Sequence, residues 1–212
     1  MENSDRVVPE AGFSIRYIEL SEGLNFLQRK ETSLPGVLEL YPKVHSDARG
    51  FFMETYHQEK FAGLGIGVTF VQDSQSCSTK GTLRGLHYQL HHPQAKLCRV
   101  IQGEALDVAV DIRVGSPHFA KSASVILSSE MRNQVFIPAG FAHGILALTE
   151  TVQFLYKCSD FYDPSDEYGI IWNDPAIGIR WNVSTPKLSE RDARFPRLSE
   201  IEPQLLPRFD QP

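Results

Sequence analysis

The chain has 212 residues, 42% of them hydrophobic and 22% charged, an ordinary globular composition long enough to bury one substantial core. Its 21 basic side chains fall short of its 26 acidic ones, for a formal net charge of -5, which leaves no cationic surplus for a nucleic-acid backbone. No apolar run approaches the roughly 20 residues that cross a bilayer, and the polar start MENSDRVVPEAG lacks a secretory signal, so the expectation is a cytoplasmic protein with neither nucleic acid nor membrane as a partner.

Residues 1–34 read as an N-terminal extension. Within it Leu20, Leu24 and Leu27 fall at helical spacing with Ser21 as a cap, which predicts a short helix outside the core. From Leu38 the pattern changes to short β-branched and aromatic segments separated by Gly, Pro, Asp and Ser about every ten residues. That rhythm predicts a mostly antiparallel sandwich or barrel, assigned to residues 35–195. HQEKFAGLG is the one good helix candidate inside it, stopping at Gly63 or Gly65. In ALDVAVDIR, Leu106, Val108, Val110 and Ile112 alternate with Asp107, Ala109, Asp111 and Arg113, giving a strand with one apolar and one mixed face. A second alternation, Val152, Phe154, Tyr156 and Cys158, points Tyr156 inward. SERDARF predicts one or two helical turns, and residues 196–212 a loosely ordered C-terminal tail. Cys77, Cys98 and Cys158 are odd in number and not closely paired, so they read as small buried hydrophobes rather than a disulfide or metal framework.

Two histidine contexts bear on chemistry, GTLRGLHYQLHHPQAK around His87 and VFIPAGFAHG around His143. Pro138, Gly140 and His143 match the P-x-G-x-x-H half of the cupin signature, and Gly81 with His87 resembles the start of the other half. Where metal cupins place a second histidine this chain has Gln89, and where they place a carboxylate it has Pro93 or Gln94, with Lys96 nearby. Two neutral imidazoles without an anionic ligand make a poor divalent-cation site. The resemblance therefore implies a mainly β fold, a cupin-like double-stranded β-helix or jelly-roll barrel with short peripheral helices, and no metal.

DARGFFMET, LRGLHYQ, QAKLCRVIQG, DIRVGSP, PAGFAHGILAL, FLYKCSDFYDP and LSERDA follow one another in this order. Together they resemble the dTDP-4-dehydrorhamnose 3,5-epimerase family over about Thr32 to Arg194. The resemblance implies a cofactor-free, metal-independent homodimeric epimerase acting on a dTDP-linked 4-keto-6-deoxy sugar. C3 and C5 of such a sugar both flank the C4 ketone, so losing a proton from either gives an enolate on the same oxygen. One site with a base on one face, an acid on the other and a cation at the oxygen then serves both carbons.

By the resemblance, His87 is the base; an imidazole titrates near the working pH that general-base catalysis favours. Without the motif, a buried structural histidine is the better reading. Asp192 is implied as the carboxylate that orients His87, although 105 positions separate them. Tyr156 matches the proton donor and Lys96 the cation near the C4 oxygen. His143 matches a polar wall, either near the sugar or supporting its neighbours. Arg84 and Arg49 fit positions that hold the diphosphate and nucleotide, Arg49 from this subunit or its partner, and Arg191 stands where a basic residue is often seen. Strict alternation puts Arg84 and His87 on opposite faces of a strand, so serving one cleft requires a bulge near Gly85 or an arginine that reaches round. Glu54, Gln72, Asp73 and Glu167 match further substrate-side positions. Phe51 and Tyr162 offer aromatic surfaces for thymine, with core packing as the rival. Ser74 departs from the asparagine usual there and Gln75 from a common histidine.

The main expectation is epimerisation of dTDP-4-dehydro-6-deoxy-D-glucose at C3 and C5. The alternatives are a relative that inverts one carbon of another nucleotide-linked deoxysugar, a binding protein without turnover, and, disfavoured by Gln89 and Gln94, a metal-dependent oxygenase.

Overall fold

The computed structural model describes residues 27–209. The strands in chain order are β1 (Leu27–Glu31), β2 (Leu38–Pro42), β3 (Val44–Asp47) and β4 (Gly50–Met53), then after helix α1 (Gln58–Gly63) come β5 (Gln72–Thr79), β6 (Leu83–Gln89), β7 (Lys96–Gln102) and β8 (Glu104–Asp111). They continue with β9 (Ser122–Ser128), β10 (Gln134–Ile137), β11 (Phe141–Ala147), β12 (Thr151–Cys158) and β13 (Glu167–Gly169), and single 3-10 turns follow at Asp192–Arg194, Leu198–Glu200 and Pro203–Leu205.

Two antiparallel sheets face each other, one in the order β1-β2-β10-β7-β12-β5 and the other β13-β6-β11-β8-β9, while β3 and β4 form a separate hairpin. Neighbours far apart in sequence, such as β2 with β10 and β6 with β11, close the jelly-roll barrel. Cys98, Val100, Val152 and Phe154 from the first sheet meet Ala109, Val125, Phe141 and Ile145 from the second in the inner core. Helix α1 lies outside the first sheet, where Phe61 packs with Leu38, Leu40, Leu97 and Phe136, and Gly65, with φ +87, turns the chain away from it.

Three expectations change. The helix predicted through Leu20, Leu24 and Leu27 falls mostly outside the described residues, and its last part is strand: Leu27–Glu31 pairs with β2, Leu27 opposite Pro42 and Glu31 opposite Leu38. Pairing satisfies the backbone groups along the edge of β2, which outweighs local helical spacing. In β8 both faces are buried. Leu106, Val108 and Val110 point outward, and Asp107 and Ala109 point between the sheets. The expected loose tail is instead the cover of that outward face. Leu198 and Leu206 are buried beside Leu106 and Val108, the Val114 N–H donates to the Pro207 carbonyl and the Phe209 N–H to the Val114 carbonyl, and the Arg113 guanidinium lies over the Phe209 ring. An outward row of Leu and Val exposes apolar area that only covering chain removes from water.

Candidate active site

A cavity of about 380 Å³ opens between the sheets. Strand β6 supplies Arg84 and His87, β11 supplies His143, and β13 supplies Glu167, while across the barrel β5 supplies Gln72 and Ser74, β7 supplies Lys96 and β12 supplies Tyr156. Tyr162, Arg191 and Asp192 complete the wall from the connecting segments.

Arg84 and His87 share the cavity because β6 is not a regular strand. His87 pairs with His143, but Arg84 pairs with Ile145, so the register slips between them. Gly85 sits at the slip with φ +119, and a Cβ there would lie 2.6 Å from both the Gly144 Cα and the His143 carbonyl oxygen. Only glycine fits this combination of backbone conformation and closeness. The expected bulge is therefore present, and Arg84 is anchored by donating from Nε to Ser78 Oγ at 3.1 Å.

His87 and Asp192 meet across those 105 positions: His87 Nε2 lies 2.9 Å from Asp192 Oδ1. The turn at Asp192–Arg194 holds the carboxylate, the Asp192 N–H donates to Ser189 Oγ, and the Gly85 N–H donates to Asp192 Oδ2 at 3.3 Å. Burial works to raise the Asp192 carboxyl, but the His87 hydrogen bond and charge, with the Gly85 and Ser189 donors, together hold it below its ordinary 3.8. The other ring nitrogen, Nδ1, stands 3.7 Å from Glu167, and the Phe195 ring meets His87 edge-on at 5.6 Å between centroids. The imidazole is thus gripped on one side and open to the cavity, with 21% of its side chain exposed.

Tyr156 points inward as its alternation predicts, beside Phe154. Burial pushes its phenol above the ordinary value of 10; a hydrogen bond with Ser74 opposes this, and the nearby Cys158, Cys98 and Glu167 add to it. Ser74 is directly opposite Tyr156 in the β5–β12 ladder and also accepts from Gln72 Nε2. Lys96 Nζ lies 6.0 Å from the centre of the Tyr156 ring. Glu167 ties the mouth together: the Tyr162 hydroxyl donates to it at 2.6 Å, and Arg191 pairs with the same oxygen.

Four residues matched from the sequence do not line this cavity. Asp73 alternates with Gln72 and Ser74 in β5, faces the outside of the sheet and pairs with Lys157 at 2.8 Å. Arg49 sits at the tip of the β3–β4 hairpin on Asp47, with 90% of its side chain exposed. Phe51, on the same hairpin, is exposed with the Arg132 guanidinium over its ring, and Glu54 pairs with Lys60. In the other direction the sequence reading missed Asp107, which is 2% exposed and whose Oδ2 lies 2.9 Å from His143 Nε2. The available signal was a carboxylate on the inward side of an otherwise apolar strand, which needs a partner if it is buried.

At the positions where metal cupins carry ligands, the two glutamines are committed elsewhere. Gln89 Nε2 donates to the carbonyls of His92 and Phe161 while its oxygen accepts from the Asp163 N–H, and Gln94 Nε2 donates to the Asp160 carbonyl. Two neutral amides, with their NH2 groups and the Gln89 oxygen committed to the backbone, do not fit a resident divalent cation.

Residues 31–200 match the family model described as dTDP-4-dehydrorhamnose 3,5-epimerase. A Salmonella typhimurium protein of that name is 51% identical over 173 residues, which are 80% of this chain and 94% of the relative. One from Neisseria gonorrhoeae is 52% identical over 163 residues, 76% of this chain, and that stretch spans 50% of the relative's length. Among solved structures, dTDP-6-deoxy-D-glucose-3,5-epimerase from Legionella pneumophila, in complex with dTDP-4-keto-L-rhamnose, superposes with a TM-score of 0.85 at 43% identity, covering 87% of this chain and all of the other. With the motifs, the barrel and the relatives in agreement, the chain belongs to the dTDP-4-dehydrorhamnose 3,5-epimerase family.

Proposed function

We propose that this chain epimerises dTDP-4-dehydro-6-deoxy-D-glucose at C3 and C5 to dTDP-4-dehydro-L-rhamnose, with His87 as base and Tyr156 as acid. The observation that carries this assignment is His87 on one sheet, paired with Asp192 from the C-terminal segment, with Tyr156 on the opposing sheet of the same cavity. His87 takes a proton from the carbon beside the ketone, and Asp192 stabilises the imidazolium that forms. The electron pair moves onto the C4 oxygen, where the Lys96 ammonium offsets the developing charge. Tyr156, kept protonated by burial, then returns a proton to the opposite face of the carbon, and that inverts it. Once His87 has released its proton to solvent and Tyr156 has regained one from it, repetition at the second carbon uses the same enolate oxygen.

Arg84 makes no ion pair among the described residues, so its guanidinium is left to meet the diphosphate. Tyr162 and Gln72 serve the nucleotide end and Arg191 with Glu167 frames the entrance. His143 forms the floor. A homodimer completes the reading: the β3–β4 hairpin, with Phe51 55% and Phe52 71% exposed, carries Arg49 and Phe51 into the partner's cavity, where these adjacent rings would leave water. Cys77, Cys98 and Cys158 are free thiols, with Cys98 and Cys158 buried as expected and Cys77 instead exposed; free thiols suit the reducing cytoplasm, and no helix among the described residues is long and apolar enough to cross a membrane.

The test is product identity. The purified protein, treated with a chelator and given dTDP-4-dehydro-6-deoxy-D-glucose, should yield a sugar that a dTDP-4-dehydrorhamnose reductase converts to dTDP-L-rhamnose. A product inverted at one carbon, or unchanged substrate with dTDP still bound, would overturn the assignment.

A further inference from the structure

Beneath the floor of the cavity lies a cluster that the epimerisation does not use. Cys98 from β7, Asp107 from β8 and His143 from β11 each present a donor atom, and the three atoms lie within 4.8 Å of one another. The residues are buried, at 0%, 2% and 8% exposure. They come from three strands in two sheets, so the barrel itself holds them together. We propose that Cys98, Asp107 and His143 form a binding site for a thiophilic divalent cation of the zinc class, and that an ion there inhibits the enzyme.

The donor set argues for that class. A thiolate, a carboxylate and an imidazole are the three side chains that zinc takes, and three protein ligands leave one position of a tetrahedron open. Thiolate sulfur selects against magnesium and calcium, which prefer oxygen. Charge balances as well, because one thiolate and one carboxylate neutralise a dication, and a buried site with no net charge avoids the cost of an uncompensated ion. The set shares only His143 with the positions of metal-cupin ligands, so the committed amides of Gln89 and Gln94 do not bear on it.

Binding has a defined proton balance. The Cys98 thiol, which burial and the neighbouring Asp107 charge keep protonated in spite of Lys96, gives up its proton to solvent as the metal–sulfur bond forms. His143, whose Nε2–H donates to the Asp107 carboxylate, passes that hydrogen by way of solvent to Nδ1 and binds the metal through the freed Nε2 lone pair, so the ring stays neutral. Asp107 enters as the carboxylate. Entry is through the active site, since of the three ligands His143 lines the cavity. An ion therefore pins the floor residue and occupies space against which the sugar must sit. Lys96, on the same strand as Cys98, opposes a cation but also favours the thiolate.

Metal binding at this site is tested by spectroscopic readouts that do not depend on the epimerase reading; only the inhibition rests on that reading and is read by turnover. Chelator-stripped full-length protein is titrated with cobalt(II) alone and then with zinc(II) alone. The expected result is a near-ultraviolet thiolate-to-cobalt charge-transfer band that saturates at one ion per chain, disappears on adding zinc, and is lost in Cys98→Val, which still binds dTDP. Zinc should slow turnover of the wild-type protein and leave Cys98→Val unaffected. Zinc X-ray absorption on the wild-type protein needs no variant and should show one sulfur at about 2.3 Å. A shell of nitrogen and oxygen only, or a cobalt spectrum unchanged in Cys98→Val, would overturn the proposal and place the ion elsewhere, for instance at His87, Asp192 and Glu167.

Discussion

Two histidine–carboxylate pairs stand in one barrel, His87–Asp192 and His143–Asp107, each with Nε2 2.9 Å from its carboxylate oxygen. Their surroundings differ. His87 has 21% of its side chain exposed to the cavity, and its carboxylate is fed by a backbone N–H and a serine hydroxyl. The His143 side chain is 10% exposed, stacks on Phe154, and its carboxylate lies deep beside Cys98. The same pair of side chains can be a proton-transfer device or part of a floor. What separates the roles is access to substrate and the donors that stabilise the charged state.

Breaking the first pair should have the largest effect. His87→Ala removes the base, and turnover should fall by about 10²–10⁴-fold, the usual worth of a positioned acid–base group, with dTDP affinity nearly unchanged in a binding titration. Asp192→Asn keeps the shape and removes the charge, so its loss of turnover should be smaller than that of His87→Ala. It also has a stability signature. Because the folded carboxyl titrates below its ordinary 3.8, its stabilising contribution is complete above that value and is lost as pH falls through the lower folded one. Urea midpoints measured below pH 4 should therefore decline less steeply for Asp192→Asn than for the wild type.

How legible each pair was in the sequence follows from what made it. The His87 motif is contiguous, so LRGLHYQ revealed it, and Tyr156 followed from the simple two-residue period of β12. Asp192 was legible only through LSERDA, because its contact with His87 depends on the whole C-terminal segment folding back over the second sheet. That segment was read as loose, although its cause was in view: the row Leu106, Val108 and Val110 needed a cover that the sequence alone did not locate. Asp107 stood on the other side of that row and was passed over, since alternation gives the face of a strand but not which layer lies against it. Likewise Leu27 had helical spacing, and only the open edge of β2, remote in pattern from it, turned it into strand. Arg84 shows the opposite case: alternation put it on the wrong face, and the glycine beside it correctly flagged the slip.

The remaining predictions refine the contrast with smaller effects. Arg84→Ala removes charge-assisted hydrogen bonding to the diphosphate and should weaken dTDP binding by about 10- to 100-fold in calorimetry. Asp107→Asn, at the deep pair, retains an acceptor for His143. It should cost about 1–3 kcal/mol of folding stability in urea melts and change turnover least of the four variants. A loss of turnover matching that of His87→Ala would erase the distinction between the pairs.

The most direct measurement follows hydrogen exchange at the sugar itself. The wild-type protein, His87→Ala and Tyr156→Phe are each incubated with dTDP-4-dehydro-6-deoxy-D-glucose in deuterated water, and C3 and C5 are monitored by NMR. The account predicts deuterium at both carbons with wild type, none with His87→Ala, and impaired formation of inverted product with Tyr156→Phe. Undiminished deuterium uptake by His87→Ala would contradict it, because the proton would then be leaving by way of another base.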